Sequence, residues 1–233
     1  LGAWLGVGSS DCAMFTTADP EIVVHLEAEG LVVTKTAATM RYSLRLPVED
    51  VKPRSCVVCG VEFVPHRAQV KTCGRSCGGR AKGTERMPAP TCADCGGPSS
   101  GKRRCQECHH DHGTVQALLR KIGVLGDKHI PTEYLRGSED QRRALLAGLL
   151  DTDGTVTNGG CVQFTSTSWR LTEDVRDLVA GLGYRFGVSE KHVRGRSAQS
   201  SIAYTLTFSA DEDVFRLERK AIRHKERRTR LFQ

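Results

Sequence analysis

Two stretches of the sequence repeat the same order of glycines and apolar residues. They are LGAWLGVGSS at residues 1–10 and LLAGLLDTDGTV at residues 145–156. Alignment of Gly8 with Gly154 sets the offset between the copies at 146 residues. In both copies the apolar residues that precede this glycine have helical spacing, which predicts a helix that stops there. The last residue before the glycine is Val7 in one copy and Asp153 in the other. A repeat of this kind favours a fold of two related halves.

The segments that follow the two stretches repeat the same order of predicted elements. The first copy is followed by a strand at 15–17, a helix at 19–30 capped by Asp19, and strands at 31–36 and 42–46. The second copy is followed by a strand at 162–168, a helix at 171–183 with Thr172 as candidate cap, and strands at 184–193 and 204–209. We therefore predict an α+β fold with two pseudo-symmetric α–β–β–α–β–β halves. A basic amphipathic helix is predicted for the tail after residue 210.

Most of the cysteines lie between the halves, in four close pairs. They are Cys56, Cys59, Cys73, Cys77, Cys92, Cys95, Cys105 and Cys108. With no secretory signal in the sequence, close pairs favour metal over disulfides. One tight turn lets Cys-x-x-Cys supply two of the four ligands that zinc prefers. We therefore predict two structural Zn²⁺ ions, the first four cysteines holding one and the last four the other. A cross-braced pairing stays open, as does substitution by histidine, and the candidate histidines are His66, His109, His110 and His112.

The positive charge of the chain is concentrated in the cysteine segment. The formal net charge is +7, and residues 52–108 alone carry 11 Lys/Arg against 4 Asp/Glu. Two zinc sites, each with four thiolates and a formal charge of −2, would lower this segment to about +3. Basic residues around rigid metal sites favour a nucleic-acid partner. The candidate DNA-binding residues are Arg75, Arg80, Lys82, Arg86, Lys102, Arg103 and Arg104. A solvated basic surface or a purely structural zinc module is the alternative.

The second repeated stretch resembles a known family motif. LLAGLLDTDG is similar, almost letter for letter, to the LAGLIDADG motif of homing endonucleases. KHIPTEYL at 128–135 and YTLTFSADEDVFRLERKAIRHK at 204–225 resemble later blocks of intein endonucleases. LGAWLGVGSS with FTTADPEIV resembles the first endonuclease block of actinobacterial inteins, notably those in replicative helicases. The resemblance covers about 1–46 and 113–225, and the zinc segment lies outside the usual pattern.

The resemblance implies a site-specific DNA endonuclease that uses Mg²⁺. Glycines in the two motif helices would let them touch, and an aspartate at each helix end would hold metal. Asp153 would be one of these ligands, and Lys128 and Lys220 would be basic active-site residues. Val7 occupies the place of the other aspartate, and a valine side chain cannot ligate a hard cation. We expect a chain that binds duplex DNA but is inactive in double-strand cleavage, retaining nicking at most.

The domain organisation expected from these patterns has three parts. Residues 1–50 form the first half, 51–110 the insert with two zinc sites, and 111–233 a linker helix, the second half and the basic helix. The sequence contains no run of about 20 apolar residues, so no membrane span is predicted. We expect a monomer in the bacterial cytoplasm, associated with the nucleoid when bound to DNA. The chain has no first-residue cysteine and no terminal His-Asn, so we expect no protein splicing.

Two other classes of function fit parts of the same sequence. One is a DNA-binding protein on the same fold that does not cut, such as a regulator or an RNA-splicing cofactor. The other is a zinc-stabilised protein-interaction module. These classes differ in two properties: metal-dependent cleavage of cognate DNA, and weakening of DNA binding by salt.

Overall fold

The computed structural model describes residues 1–47, 53–65, 70–81, 91–99, 104–194 and 200–228. The chain divides into two compact units, of which unit 1 is Leu1–Arg45 with Ile122–Gln233 and unit 2 is Leu46–Lys121. The predicted insert, 51–110, lies inside unit 2. Among the described residues, no helix is both long enough and apolar enough to cross a membrane.

The described helices and strands follow one another along the chain through unit 1, then unit 2, then unit 1 again. Unit 1 begins with α1 (Gly2–Val7), β1 (Met14–Thr16), α2 (Pro20–Ala28), β2 (Val32–Lys35) and β3 (Arg41–Arg45). Unit 2 contains β4 (Arg54–Ser55), β5 (Glu62–Phe63), α3 (Arg75–Ala81), α4 (Gln106–His112) and α5 (Val115–Lys121). Unit 1 resumes with α6 (Thr132–Leu135), α7 (Glu139–Asp153), β6 (Gly154–Val156), β7 (Val162–Ser166), α8 (Trp169–Gly181), β8 (Phe186–Arg194), β9 (Ser200–Phe208) and α9 (Glu218–Arg228).

Each half of unit 1 has its own antiparallel sheet. The strand order is β1-β3-β2 in the first half and β6-β7-β9-β8 in the second. Gly154 pairs with Phe164 between β6 and β7, and Gly8 pairs with Phe15 as an isolated bridge. Both phenylalanines are fully buried. The predicted α+β fold with two related halves is therefore confirmed.

The three strands predicted for the first half are present as β1, β2 and β3, but the additional strand that the α–β–β–α–β–β order implies directly after α1 is not formed in the fully described residues 1–47. The segment after α1 makes only the Gly8 bridge, where the second half forms β6. The local sequences explain the difference. Ser9 and Ser10 favour a turn, and the amide of Cys12 is 3.5 Å from the carbonyl of Ser9. The second copy instead has Thr155 and Val156, and β-branched residues favour an extended strand.

Two predicted helix starts need correction. The cap of α8 is Ser168, whose hydroxyl accepts the N–H of Leu171 at 3.2 Å. Thr172 lies inside the helix and donates to the carbonyl of Ser168 at 2.9 Å, so the predicted Thr172 cap is wrong. The tail helix begins only at Glu218, because the residues before it run as a loop against α7.

Helices α1 and α7 touch backbone to backbone. A methyl group on Gly148 would lie 2.9 Å from the amide nitrogen of Ala3 and 3.2 Å from Cα of Gly2. These distances are shorter than van der Waals contact, so only glycine fits there. The contact brings the C-terminal ends of the two helices together, as the motif glycines predicted.

Candidate functional site

The two motif helices end in the same way. The N–H of Gly8 donates to the carbonyl of Trp4, and the N–H of Gly154 donates to the carbonyl of Leu150. Both glycines then continue as extended chain, with φ values of −68° and −84°. Val7 is the last residue of α1 and Asp153 is the last residue of α7. The two side chains therefore occupy equivalent positions at two adjoining helix ends.

The carboxylate of Asp153 lies against the end of α1. A methyl group on Gly6 would be 3.1 Å from Oδ2 of Asp153. Burial raises the pKa of this carboxyl group, and the nearby charges of Lys128 and Lys220 lower it. The carboxylate is therefore held in a half-buried position beside two cations, where it could contribute one oxygen ligand to a metal.

Lys128 lies at the end of α1. Its Nζ donates to the carbonyl of Gly6 at 3.0 Å and lies 5.4 Å from the ring centroid of Trp4. The indole N–H of Trp4 is itself fixed by the carbonyl of Cys12 at 3.1 Å. Burial lowers the pKa of Lys128, and Asp153 raises it. The ammonium group is thus oriented by a carbonyl and an aromatic face.

Lys220 lies at the end of α7. Its Nζ donates to the carbonyls of Leu150, Asp151 and Gly154 at 2.8, 2.7 and 2.7 Å. The side chain is only 9% exposed. Burial, and next the charge of Arg219, lower the pKa of Lys220 to about 8. Both predicted lysines are therefore brought to the helix ends, although 92 residues separate them in the chain.

Asp151 is a buried residue of the motif that the sequence did not single out. It is 5% exposed, and its Oδ1 accepts the N–H groups of Arg216 and Leu217 at 3.0 and 3.1 Å. Two residues of α-helix correspond to a rotation of about 200°. Asp151 therefore faces away from Asp153, toward the chain that enters α9. The order Asp-Thr-Asp carried this signal, because only one of two alternate acids can face the partner helix.

The eight paired cysteines form two clusters, and the four sulfur atoms of each lie within 4.8 Å of one another. Individual Sγ–Sγ distances are 3.5 Å for Cys59–Cys73, 3.7 Å for Cys73–Cys77 and 3.8 Å for Cys95–Cys105. Zinc with four sulfur ligands at about 2.3 Å has tetrahedral edges of about 3.8 Å. The predicted clusters and their partition are therefore present, and their donor sets suit a tetrahedral thiophilic metal.

The two clusters have the same local construction. In each, a Cys-x-x-Cys turn is followed by a glycine of positive φ, +74° at Gly60 and +70° at Gly96. The amide of each glycine donates to the carbonyl of the first cysteine, Cys56 or Cys92, at 2.9 and 3.0 Å. The second pair of each cluster lies at the start of a helix, α3 or α4. The geometry of both knuckles is thus fixed by short-range bonds.

The described candidate DNA-binding residues differ in availability. Arg75 and Arg80 are exposed on α3, and Arg80 donates to the hydroxyl of Ser76 at 3.3 Å. Arg104 forms an ion pair with Asp94, so part of its charge is already neutralised. The other candidates lie outside the described residues, and they are Lys82, Arg86, Lys102 and Arg103.

Comparison with known proteins agrees with the fold. Residues 140–221 match the model of a LAGLIDADG-like domain. The chain therefore contains a LAGLIDADG-like domain, as the motif indicated. Over 228 residues the chain is 44% identical to the replicative DNA helicase DnaB of Mycobacterium intracellulare. The match covers 98% of this chain and 26% of that protein, so the chain spans about a quarter of its relative.

The pKa of Lys220 predicts a measurable dependence of stability on pH. The pKa of an unfolded lysine is about 10.4, so between about pH 8 and that value the unfolded chain binds more protons at this position than the folded chain does. The contribution of Lys220 to the free energy of unfolding therefore rises with pH across this window. We expect the free energy of unfolding of the parent chain minus that of Lys220→Met to increase as pH rises across this window. Urea denaturation at several pH values measures both free energies.

Arg223→Met is the matched control for this measurement. Arg223 is exposed on the same helix, so its replacement removes no buried charge and its difference from the parent chain should stay constant across this pH range. A difference for Lys220→Met that is equally constant would contradict the burial of a charged amine at this site.

Proposed function

We propose that this chain is the homing-endonuclease domain of an intein, acting on a long, specific site in duplex DNA. Support comes from the LAGLIDADG-like domain and from the match of nearly the whole chain to a quarter of a DnaB helicase. An endonuclease domain contained within a longer host protein is expected to match in this way. Two halves in one chain supply both sides of a bipartite DNA site, so we propose that the protein acts as a monomer. We also propose that it acts in the bacterial cytoplasm.

The observation that carries the proposal is the pair of adjoining helix ends with Asp153, Lys128 and Lys220 around them. Magnesium in proteins is held by one or two carboxylates, with substrate phosphate completing its coordination, and the donor set at the end of α7 fits one such ligand. Asp153 would hold Mg²⁺, which activates water and stabilises the leaving oxygen in phosphodiester hydrolysis. The ammonium groups of the two lysines would stabilise the negative charge that develops on the phosphate.

Val7 makes the proposed centre asymmetric. Its isopropyl group occupies the position equivalent to the Asp153 carboxylate and can neither bind a hard cation nor offset its charge. Two lysines then face a single carboxylate, which disfavours a second divalent ion. We propose that cleavage of both strands is lost and that at most one strand is nicked. This asymmetry is also the observation that favours the second candidate, a DNA-binding protein that does not cut.

Restoring the carboxylate should restore cleavage. We expect Val7→Asp to linearise plasmid DNA that carries the uninterrupted host-gene junction in Mg²⁺ or Mn²⁺, while the parent chain leaves it intact or nicked. Val7→Asn is the matched control, because it has the shape of aspartate without the charge. Gel electrophoresis of the plasmid forms is the measurement. Equal inactivity of all three chains, with DNA binding preserved, would contradict the account of position 7 and favour the non-cutting protein.

Polar sheet faces are the proposed DNA-reading surface. On β7 and β9, Val162, Phe164, Leu206 and Phe208 are buried on one face. The opposite face presents Gln163 and Thr165 beside hydroxyl partners on β9, with hydrogen bonds of 3.1 Å in both pairs. Amide and hydroxyl groups can read base edges in the major groove, and a twisted sheet fits there. The corresponding face of β3 in the first half presents Arg41, Ser43 and Arg45.

Variants of base-reading and phosphate-contacting residues should differ in how the DNA affinity that remains depends on salt concentration. We expect Gln163→Ala to lower affinity for the cognate site by about 1–3 kcal/mol with little effect on unrelated duplex. Arg75→Ala should weaken both, and lower the slope of log K against log salt by about 1. Fluorescence anisotropy at several salt concentrations measures both effects. DNA affinity that does not depend on salt, or no affinity, would instead favour the zinc-stabilised protein-interaction module.

We also propose that the two cysteine clusters of unit 2 hold structural zinc. The tetrahedral spacing of the sulfur atoms supports this assignment, as do the matching glycine knuckles. Zinc binding to such sites contributes directly to folding, because an unfolded chain rarely contains a preformed site.

Zinc content should follow the partition of the clusters. We expect two equivalents of zinc per chain by mass spectrometry of metals, and one equivalent in either Cys59→Ser or Cys95→Ser. Cys161→Ser should retain two, because Cys161 lies in unit 1, outside both clusters. A parent chain with fewer than two equivalents would refute the two-site assignment.

A further inference from the structure

The backbone next to each of the two site lysines, Lys128 and Lys220, is held by a carboxylate from the half whose motif helix that lysine does not contact. Oδ2 of Asp174, on α8 in the second half, accepts the N–H of Ile130 at 2.7 Å. Ile130 lies two residues after Lys128. Both carboxylate oxygens of Glu21, on α2 in the first half, accept the N–H of Glu218, at 3.0 and 3.2 Å. Glu218 lies two residues before Lys220.

The two carboxylates occupy equivalent positions in the repeat. Helices α2 and α8 correspond in the two halves, and each is followed by a glycine of positive φ, Gly30 or Gly183. Glu21 lies nine residues before Gly30, and Asp174 lies nine residues before Gly183. The same position on each helix therefore accepts a backbone N–H close to a lysine, and that lysine contacts the motif helix of the other half.

Ion pairs reinforce both bonds with opposite polarity. Beside Lys220, the acid is Asp19 at the start of α2, and the cation is Arg219, the residue next to the lysine. Arg219 donates to Asp19 at 2.8 Å. On the Lys128 side, Arg170 of α8 pairs with Asp127 of the lysine segment. The two ion pairs lie at equivalent places, but the acid and the cation are exchanged between them. What the two sides share is therefore the position of the backbone that carries the lysine.

Neither amide has an acceptor within its own element. Glu218 is the first residue of α9, and the first N–H groups of a helix have no intrahelical partner. Ile130 is 2% exposed and lies in a loop, where a buried amide without an acceptor is costly. The two carboxylates therefore determine where these backbones lie, and each backbone carries its lysine two residues away.

We propose that Glu21 and Asp174 are reciprocal positioning residues, Glu21 for Lys220 and Asp174 for Lys128. Each half thereby orients the amine that lies at the motif-helix end of the other half. This positioning of Lys128 and Lys220 does not depend on what the two amines do. That they act on a DNA phosphate rests on the function proposed above.

The test measures each amine separately in the intact chain. N-hydroxysuccinimidyl acetate labels accessible lysines, and mass spectrometry of peptides gives the labelling rate of Lys128 and of Lys220 in one sample. Loss of one hydrogen bond corresponds to a factor of about five. We therefore expect Glu21→Leu to raise labelling of Lys220 about fivefold and leave Lys128 unchanged. Asp174→Leu should do the reverse.

Conservative variants and a neighbouring acid separate positioning from general stability. Glu21→Gln and Asp174→Asn keep an oxygen acceptor and should restore the parent labelling rates. Glu27→Leu removes an exposed acid from the same helix as Glu21 and should change neither lysine. Equal increases at both lysines, or none at either, would overturn the proposal. Glu21 is about one-third exposed, so its variants test the proposal even if Asp174→Leu does not fold.

Cleavage provides an independent measurement in the Val7→Asp chain. Glu21→Leu and Asp174→Leu should lower the rate constant for strand cleavage and leave the dissociation constant for DNA unchanged. If Val7→Asp does not cleave, the proposed function fails while crossed labelling still supports the positioning roles. If it cleaves and the labelling is not crossed, the positioning proposal fails while the proposed function stands.

Discussion

The backbone contact between α1 and α7 is the constraint on which the site of unit 1 depends. Gly148 allows the helices to meet at a distance that no side chain would tolerate. Both helices end one or two turns beyond this contact, so their last residues are held close together. The site is therefore defined by two helix ends, and its chemistry depends on which side chain each helix carries last.

Helix ends also explain why amines gather at this place. The last carbonyls of a helix have no intrahelical partners and carry partial negative charge. Lys220 satisfies three carbonyls at the end of α7, and Lys128 satisfies one at the end of α1. The lysines thus complete the helices while they bring positive charge beside Asp153. A site with two amines and one carboxylate suits a phosphate better than a pair of divalent ions.

Unit 2 is built on a different principle. Among the described residues of unit 2, three cysteines are buried together with a few apolar residues of α5. The described apolar residues of unit 2 supply little hydrophobic stabilisation, so the zinc proposed for the two sulfur clusters would contribute much of the folding free energy. Stability in unit 2 would then be local to each knuckle, whereas in unit 1 it arises from contacts between distant segments.

The sequence by itself determined the features that depend on short-range spacing. The Cys-x-x-Cys knuckles, the repeated motif with Val7 opposite Asp153, and the Asp19 cap of α2 follow from residues a few positions apart. The sequence does not distinguish Thr172 from Ser168 as the cap of α8 because the two hydroxyls are about one helical turn apart, and only Ser168 lies outside the helix. Only the tertiary structure decided that Asp151 faces α9, and that Glu21 and Asp174 each reach the other half. Those bonds join residues 44 to 197 positions apart, and their geometry depends on how the halves pack.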